Sequence, residues 1–179
     1  PQGKTGETTV GASDCRDCAA GKSSSEGSLL GCIDCSPGKY APDKGNPGCD
    51  ECPVGRATSE TRSIACTPCV LGKYSSEPGA SSCDLCNPGK MTNYHKSACE
   101  KCQQGKYTDS FGSPVCLNCP GGKTSALSLN PEHGFTSCEN CPMGKFSGMG
   151  SSCENCPNDE LWSGGKCYKA NEDFKVSER

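Results

Sequence analysis

The chain has 179 residues, including 19 cysteines but only four Phe, one Trp and five Tyr, and its formal net charge is −3. So few large apolar side chains cannot offset the entropy of ordering the chain, which excludes an ordinary oily core. This cysteine content is typical of a disulfide scaffold in an oxidising compartment, so we expect a secreted, extracellular or cell-surface protein. The small, mixed charge excludes a basic nucleic-acid surface, and no apolar run approaches the roughly 18 residues of a membrane span.

Residues 1–14 are predicted to be an incomplete leading repeat. Their opening P-Q-G-K-T is similar to P-G-G-K-T at 120–124, which directly follows Cys119. We therefore expect a cysteine upstream of Pro1 that pairs with Cys15 and accounts for the odd number of cysteines. The alternative is a free or intermolecular Cys15. The lack of an initiator Met and of a signal-peptide core indicates a processed or truncated piece.

Pairs of cysteines with the spacing C-x2-C recur along the rest of the chain. A new pair begins about every 17 residues, and self-similarity at a fixed short period is typical of a stacked repeat array. The longest step is the one from Cys116 to Cys138. The pairs are Cys15/Cys18, Cys32/Cys35, Cys49/Cys52, Cys66/Cys69, Cys83/Cys86, Cys99/Cys102, Cys116/Cys119, Cys138/Cys141 and Cys153/Cys156, followed by a single Cys167.

A glycine follows the second cysteine of each pair from Cys18 to Cys141 at a constant offset of three, and a basic residue comes next. A glycine at one fixed offset predicts a tight turn with positive φ or the close passage of another backbone. The short Lys-Tyr-Ser runs that follow favour strands, and the Pro-Gly segments after them favour turns. We therefore expect small two-stranded hairpins and almost no helix.

The residue after each basic residue is aromatic in every other repeat, which gives a super-period of two repeats. The pattern predicts a zigzag in which successive loops face opposite sides and the aromatic side chains pack between repeats. These residues are Tyr40, Tyr74, Tyr107 and Phe146.

The regular cysteine-rich repeats are predicted to span residues 15–137. The last of them carries an insertion around Leu127–Pro131, which is a candidate surface protrusion. Short terminal repeats are expected at 138–167, since end repeats lack a neighbour on one face. Residues 168–179 are predicted to form a polar tail.

Two disulfide connectivities fit the spacing. In one, neighbouring pairs interlock, as in 15–32 with 18–35. In the other, the second cysteine of each pair joins the first of the next pair, which uses every cysteine except Cys15 and makes all repeats equivalent. We prefer the second, although spacing alone does not fix connectivity. Its bridges are Cys18–Cys32, Cys35–Cys49, Cys52–Cys66, Cys69–Cys83, Cys86–Cys99, Cys102–Cys116, Cys119–Cys138, Cys141–Cys153 and Cys156–Cys167.

Zinc is the alternative use of these cysteines, because C-x2-C repeated after thirteen residues is close to a zinc-ribbon spacing. Nine pairs without a pause, the single Cys167 and the absence of a histidine at ligand spacing weigh against zinc. We predict no metal and no cofactor. The lysines could form a row for acidic glycans, but acidic residues between the paired cysteines favour local charge screening. No catalytic set can be assembled, so we do not expect an enzyme.

At these motifs the chain resembles the ephrin-receptor-like cysteine-rich repeat family, which is related in style to EGF-like and tumour-necrosis-factor-receptor modules. The matching pattern is C-x2-C-x-x-G-K/R-Y/S/T-S/T with a glycine turn and a Ser before the next cysteine, as at Cys35–Cys49, Cys69–Cys83 and Cys141–Cys153. The resemblance covers about residues 1–157, and it implies the second-to-next-first bridging and a spacer role in secreted or cell-surface proteins.

The predicted fold is therefore a small disulfide-rich one, mostly irregular with short β-hairpins. It is arranged as an elongated solenoid-like array of about nine repeats, each of about 17 residues. The predicted function is structural: a rod or spacer of an extracellular fibre, stalk or matrix protein. We expect self-association or binding to other extracellular proteins, and the Ser and Thr residues are compatible with O-linked glycans. The alternatives are the ligand-binding ectodomain of a receptor, with the insertion as contact site, and a zinc-binding repeat protein.

Overall fold

The computed structural model describes residues 4–6, 15–24, 31–130, 132–157, 160–163 and 166–169. Within these residues there is no helix, and the strands form ten two-stranded sheets. The paired strands are Lys4–Gly6 with Cys15–Asp17, Lys22–Ser23 with Ile33–Asp34, Lys39–Tyr40 with Asp50–Glu51, Arg56–Ala57 with Thr67–Pro68, Lys73–Tyr74 with Asp84–Leu85, Lys90–Thr92 with Cys99–Lys101, Lys106–Tyr107 with Leu117–Asn118, Lys123–Leu127 with Phe135–Asn140, Lys145–Phe146 with Glu154–Asn155, and Glu160–Ser163 with Lys166–Lys169.

In the nine hairpins from Lys4–Gly6 to Lys145–Phe146, the first strand begins at the basic residue after the glycine, and the second strand lies at the next cysteine pair. The last described hairpin, Glu160–Ser163 with Lys166–Lys169, departs from this pattern. In the first complete repeat the antiparallel register is Lys22 opposite Asp34 and Ser23 opposite Ile33. An isolated hairpin with strands this short is not stable in water, so the disulfides and the neighbouring repeats must hold it together. The predicted fold of disulfide-rich tandem units with short hairpins and no helix is confirmed in the described residues.

The chain divides into two compact units. One comprises Pro1–Leu85 and Thr92–Ala98, and the other comprises Cys86–Met91 and Cys99–Arg179. In both units the buried side chains are small. Among the described residues the buried apolar side chains are cysteines, Ala41, Ala57 and Pro88, and the buried polar ones are serines and threonines. The core is therefore built from sulfur and hydroxyl groups, while the bulky aliphatic side chains lie outside it.

The insertion near residue 130 lengthens one hairpin. Its strands, Lys123–Leu127 and Phe135–Asn140, are the longest of the described pairs, and a register shift lies between Ala126 and Leu127. At the leading end, Lys4–Gly6 pairs with Cys15–Asp17 as in later repeats. At the other end, the strand Lys166–Lys169 enters the predicted tail, whose residues 170–179 lie outside the described residues. The rest of the predicted leading repeat, 1–3 and 7–14, also lies outside them.

Candidate functional site

Nine disulfides run along the described chain. Each joins the second cysteine of one pair to the first cysteine of the next, from Cys18–Cys32 through to Cys156–Cys167. This is the second of the two connectivities considered, and the interlocked one is absent from the described bridges. The second cysteines from Cys18 to Cys141 are buried, whereas their partners are half-buried except for the buried Cys66. The predicted cysteines thus form the inner face of every repeat.

This bonding removes eighteen cysteines from the ligands that the zinc alternative needs. Zinc coordination needs thiolates, and the eighteen cysteines named above are bonded to one another. No group of three or more His, Cys, Asp or Glu residues among the described ones is placed to hold a metal ion.

The glycine that follows the second cysteine adopts positive φ in all eight repeats from Cys18 to Cys141. The φ angle is 83° at Gly38 and 81° at Gly144, and the others fall in the same left-handed region: Gly21, Gly55, Gly72, Gly89, Gly105 and Gly122. In this region an L side chain costs roughly 1–2 kcal/mol, which explains why the position is glycine in all eight repeats.

The N–H and the carbonyl of the turn glycine both form hydrogen bonds. The glycine carbonyl accepts a hydrogen bond from the second cysteine of the next pair, as from Cys52 N–H to Gly38 O at 2.8 Å. The glycine N–H donates to the next repeat, at the residue two beyond its basic residue: Gly38 to Thr58 O at 2.8 Å and Gly55 to Ser75 O at 2.9 Å. In two repeats the acceptor is instead a side-chain hydroxyl, with Gly72 bonding Thr92 Oγ1 and Gly105 bonding Ser125 Oγ. Each turn is therefore fastened to the repeat after it.

The same glycines also meet the repeat after that one. A Cβ on Gly38 would overlap the carbonyl oxygen of Gly79, and one on Gly55 would overlap that of His95. In the other unit Gly89 lies against Gly134 and Gly105 against Gly150. These contacts have the two-repeat spacing of the aromatic super-period. We call this set of turn contacts the repeat seam: the glycine, its hydrogen-bond acceptor in the next repeat, and the backbone it meets two repeats on.

The seam acceptors form a set that the sequence analysis did not single out. They are small, and all are buried except the half-buried Thr58: Ala41, Thr58, Ser75, Thr92, Thr108, Ser125 and Ser147. A small residue recurs at this offset along the repeats, and that regularity is the signal that could have found them. The predicted aromatic residues Tyr40, Tyr74, Tyr107 and Phe146, each just before an acceptor, are half-buried on the first strands. Their packing between repeats stays a prediction.

A second residue with positive φ lies in the turn just before the next cysteine pair. It is usually glycine, as at Gly45, Gly79, Gly112 and Gly150, whose N–H groups donate to the carbonyls of Cys18, Cys52, Cys86 and Cys119. At two repeats the position is basic instead: Arg62 has φ 60° and Lys96 has φ 57°. Arg62 still bonds Cys35 O at 2.8 Å. These two residues carry backbone strain of roughly 1–2 kcal/mol each.

We expect Lys96→Gly to raise the free energy of unfolding by roughly 0.5–1 kcal/mol, because relief of the left-handed strain exceeds the added chain entropy. Thermal unfolding of the disulfide-intact protein measures the change. Lys101→Gly is the matched control, since Lys101 is exposed in the strand Cys99–Lys101 and glycine there should destabilise the protein. Equal effects of the two substitutions would contradict strain at Lys96.

Ion pairs cross the first hairpins. Lys22 Nζ lies 2.8 Å from Asp34 Oδ1, and Lys39 Nζ lies 3.4 Å from Glu51 Oε1. In later hairpins the register is the same, but the residue opposite the lysine is not acidic: Lys73 faces Leu85 and Lys106 faces Asn118. The acidic Asp84 stands one position along, opposite Tyr74. Since a one-residue offset turns a side chain to the other face of a strand, residue content alone could not predict which lysines are screened.

The Asp34 carboxylate forms ion pairs with two cations, Lys22 and Arg62. Its hydrogen bond with Lys22 holds the pKa of Asp34 below its usual value. Desolvation opposes this lowering, and the charges of Lys22 and Arg62 add to it. Arg62 Nε is 3.7 Å from the same oxygen, Oδ1. Because the folded pKa is depressed, the stabilisation is present above the unfolded pKa and is lost as the pH falls through the folded pKa.

Replacement of Lys22 by Met is expected to return the pKa of Asp34 towards its usual value. The protein should then no longer lose the Asp34 contribution to its free energy of unfolding as the pH falls. Carboxyl NMR titration of Asp34 measures the shift. Lys39→Met is the control, because it removes the Glu51 pair and should leave the Asp34 titration unchanged. An unaltered Asp34 pKa in Lys22→Met would show that the hydrogen bond is not its cause.

The fold and the seam define a class: disulfide-linked tandem repeats with hairpin units and cysteine cores. Residues 21–65 match the family model described as tyrosine-protein kinase ephrin type A/B receptor-like. The predicted resemblance is therefore confirmed by a direct match over that segment, which contains the whole Cys35–Cys49 repeat. No curated protein matches the chain.

The disulfides and the family match together point to an extracellular or cell-surface location. In the described residues we find no helix with the length and hydropathy needed to cross a membrane.

Proposed function

We propose that the chain is a structural spacer of an extracellular or cell-surface protein, with no catalytic role. One observation carries the proposal: the hydrogen bond from the turn glycine to the next repeat recurs in seven successive repeats, from Gly21–Ala41 to Gly122–Ser147. When each repeat is hydrogen-bonded to the next in the same way, the placement of one repeat fixes that of its neighbour. Such an array serves to hold other parts of a protein at a set separation.

The chemistry of the core supports the same role. Buried cysteine, serine and threonine side chains fill the described repeats with small groups, unlike the large apolar lining that is typical of a small-molecule site. The bridges persist in an oxidising extracellular milieu and lower the chain entropy of every repeat in the unfolded state. A spacer depends on these disulfide bridges within each repeat more than on a large apolar core.

The proposal is tested by changing the number of repeats. A copy of residues 49–82, which comprises two repeats, is inserted after residue 82, and the maximum dimension is measured by small-angle X-ray scattering. We expect a constant increment for each two-repeat insertion. A radius of gyration of about 16 Å for the unextended chain, the value of a compact globule of this length, would overturn the proposal.

The receptor alternative is favoured by a different observation, the long hairpin that interrupts the repeat pattern between Lys123 and Asn140. Shortening its tip separates the two functions. Loss of binding to an extracellular partner, with the scattering dimension unchanged, would favour a ligand-binding ectodomain. An unchanged interaction profile favours the spacer.

A further inference from the structure

One hairpin turn, residues 93–97, carries side chains that turns do not favour, and we call it the Tyr94 turn. Turns are rich in Gly, Pro, Asn, Asp and Ser. Here Tyr94 and His95 occupy the two central positions, and Lys96 follows with a left-handed φ of 57°, where hairpin turns usually carry glycine. Residues that break the local preferences of a turn indicate that another requirement selects them.

Asn93 holds the Tyr94 turn in one conformation. Its N–H donates to Ala98 O at 3.0 Å, and its carbonyl accepts from Lys96 N–H at 3.1 Å. Its side-chain Oδ1 accepts from Ser97 N–H at 3.0 Å, and its Nδ2 donates to Ser97 Oγ at 3.2 Å. Because these bonds already order the turn, it loses little conformational entropy when a ligand binds.

The backbone of the turn is also fixed to its own unit. Ser75 N–H donates to Lys96 O at 3.0 Å. Gly55 lies so close to His95 that a Cβ on Gly55 would overlap the His95 carbonyl oxygen. All four residues belong to the first unit. The side chains of the Tyr94 turn therefore start from a backbone whose place on that unit is set.

Tyr94 presents an open aromatic ring, since the residue is 91% exposed. The His95 ring meets it edge to face, with 5.3 Å between the ring centroids and 85° between the ring planes. This contact restricts the orientation of the Tyr94 ring while a ring face stays open to solvent. The face of an aromatic ring is electron-rich and packs well against C–H groups. Tyr94 thus suits a ligand that has a face of C–H groups.

Lys96 carries a charge that the described residues do not use. The residue is half-buried, and it takes part in none of the ion pairs found among them. Arg62 is the comparison, since it also has positive φ but lies 3.7 Å from Asp34. That ion pair offsets part of the strain at Arg62, whereas no ion pair in the described part of the chain does so at Lys96. Backbone strain without an internal reward is typical of ligand-binding positions.

We propose that the Tyr94 turn binds an acidic saccharide. The Tyr94 ring packs against the C–H face of one sugar ring, the Lys96 ammonium pairs with a carboxylate or sulfate, and the His95 ring hydrogen-bonds a hydroxyl. One aromatic face and one cation match one or two sugar units and are far smaller than the roughly 1,000 Å² of a specific protein interface. An extracellular or cell-surface location brings the chain to such glycans. This binding goes beyond the spacer function and does not depend on it.

The test is NMR titration of the disulfide-intact chain with a hyaluronan tetrasaccharide, in which glucuronate alternates with N-acetylglucosamine. We expect the amide signals of residues 93–97 to shift with a Kd of about 1 mM, because the contact is small and exposed. Chitotetraose is neutral and cannot pair with Lys96, so it should bind roughly 5-fold more weakly. A sulfated chondroitin tetrasaccharide and its desulfated form then show whether Lys96 prefers sulfate or carboxylate, and either preference supports the proposal.

Three variants separate charge, ring and strain. Lys96→Gln keeps the left-handed backbone but removes the charge, so the affinity should fall roughly 5-fold. Tyr94→Ala removes the ring and should weaken binding roughly 10-fold. Lys96→Gly should weaken binding as much as Lys96→Gln does, while it raises the free energy of unfolding. A gain in stability together with a loss of binding is expected where strain is retained for a ligand.

Lys73→Gln is the matched control, because Lys73 is an exposed lysine of the same unit that faces Leu85 rather than an acid. It should bind like the unmodified chain. The proposal is overturned if this control weakens binding as much as Lys96→Gln, or if Lys96→Gln and Tyr94→Ala bind normally. It is also overturned if chitotetraose binds as tightly as the acidic probe. The absence of any shift in residues 93–97 at about 10 mM tetrasaccharide, tenfold above the expected Kd, would be equally decisive against it.

Discussion

Gly38→Ala is expected to lower the free energy of unfolding by roughly 2–4 kcal/mol, because its Cβ would overlap a neighbouring backbone and its φ is left-handed. Alanine would have to adopt φ 83°, and the overlap is with the backbone carbonyl of Gly79 two repeats on. A side-chain rotation cannot relieve it, since the neighbour is backbone. The seam must open instead, which weakens the hydrogen bond from Gly38 N–H to Thr58 O. Hydrogen exchange at the Gly38 amide, together with the thermal midpoint, measures the loss.

Gly144→Ala is the matched control. Gly144 has nearly the same φ, 81°, but a Cβ there would meet no atom within 4 Å among the described residues. This substitution should cost only the left-handed conformation, about 1 kcal/mol. If the two alanine variants lose equal stability, the contact between repeats two apart contributes nothing, and the seam reduces to isolated turns.

Removal of one central bridge, by replacing Cys52 and Cys66 together with alanine, should cost roughly 3–5 kcal/mol. Closing a loop of this length stabilises a chain by about 3 kcal/mol in the entropy model. Both cysteines are buried, so packing is lost as well. The hairpin of Arg56–Ala57 with Thr67–Pro68 depends on this bridge. We therefore expect tryptic cleavage after Arg62 in the variant under conditions that leave the parent chain intact.

The corresponding change at Cys156 and Cys167 isolates the entropy term. Its loop is of similar length, with a sequence separation of 11, but Cys156 is only half-buried. This variant should lose about 3 kcal/mol locally and leave amide protection in the first unit unchanged. Loss of protection at the Arg56–Ala57 hairpin in the terminal variant would show that bridges act globally rather than repeat by repeat.

Much of this fold follows from the spacing of two residue types. Cysteine pairs at a fixed period determine which segments meet, and glycine at a constant offset predicts a left-handed turn, which Gly38 and its equivalents adopt. The hairpins follow because the chain between a glycine turn and the next cysteine is short and must reverse.

The spacing of cysteine and glycine does not predict which residues of the later repeats the turn glycine contacts. The hydrogen bond from Gly38 N–H to Thr58 O, and the approach of Gly79 that a Cβ on Gly38 would overlap, depend on how far each repeat is rotated against the next. Local propensity does not encode that rotation. The pairing of Lys73 with Leu85 lies within one hairpin, and residue content alone does not fix that register. Nor does an insertion in a repeat predict the hydrogen bonds of its loop, from Asn130 N–H to Ser128 Oγ and from Glu132 N–H to Asn130 Oδ1, since these are particular to that loop.

An interior of cysteine, alanine, serine and threonine has a thermodynamic consequence. Unfolding with the bridges intact uncovers little hydrocarbon, so the heat-capacity increment should lie well below the usual value of roughly 12–15 cal/mol/K per residue. The stability curve is then broad and shallow, with cold denaturation displaced far below freezing. The free energy of unfolding then changes little with temperature over the range in which the protein is folded.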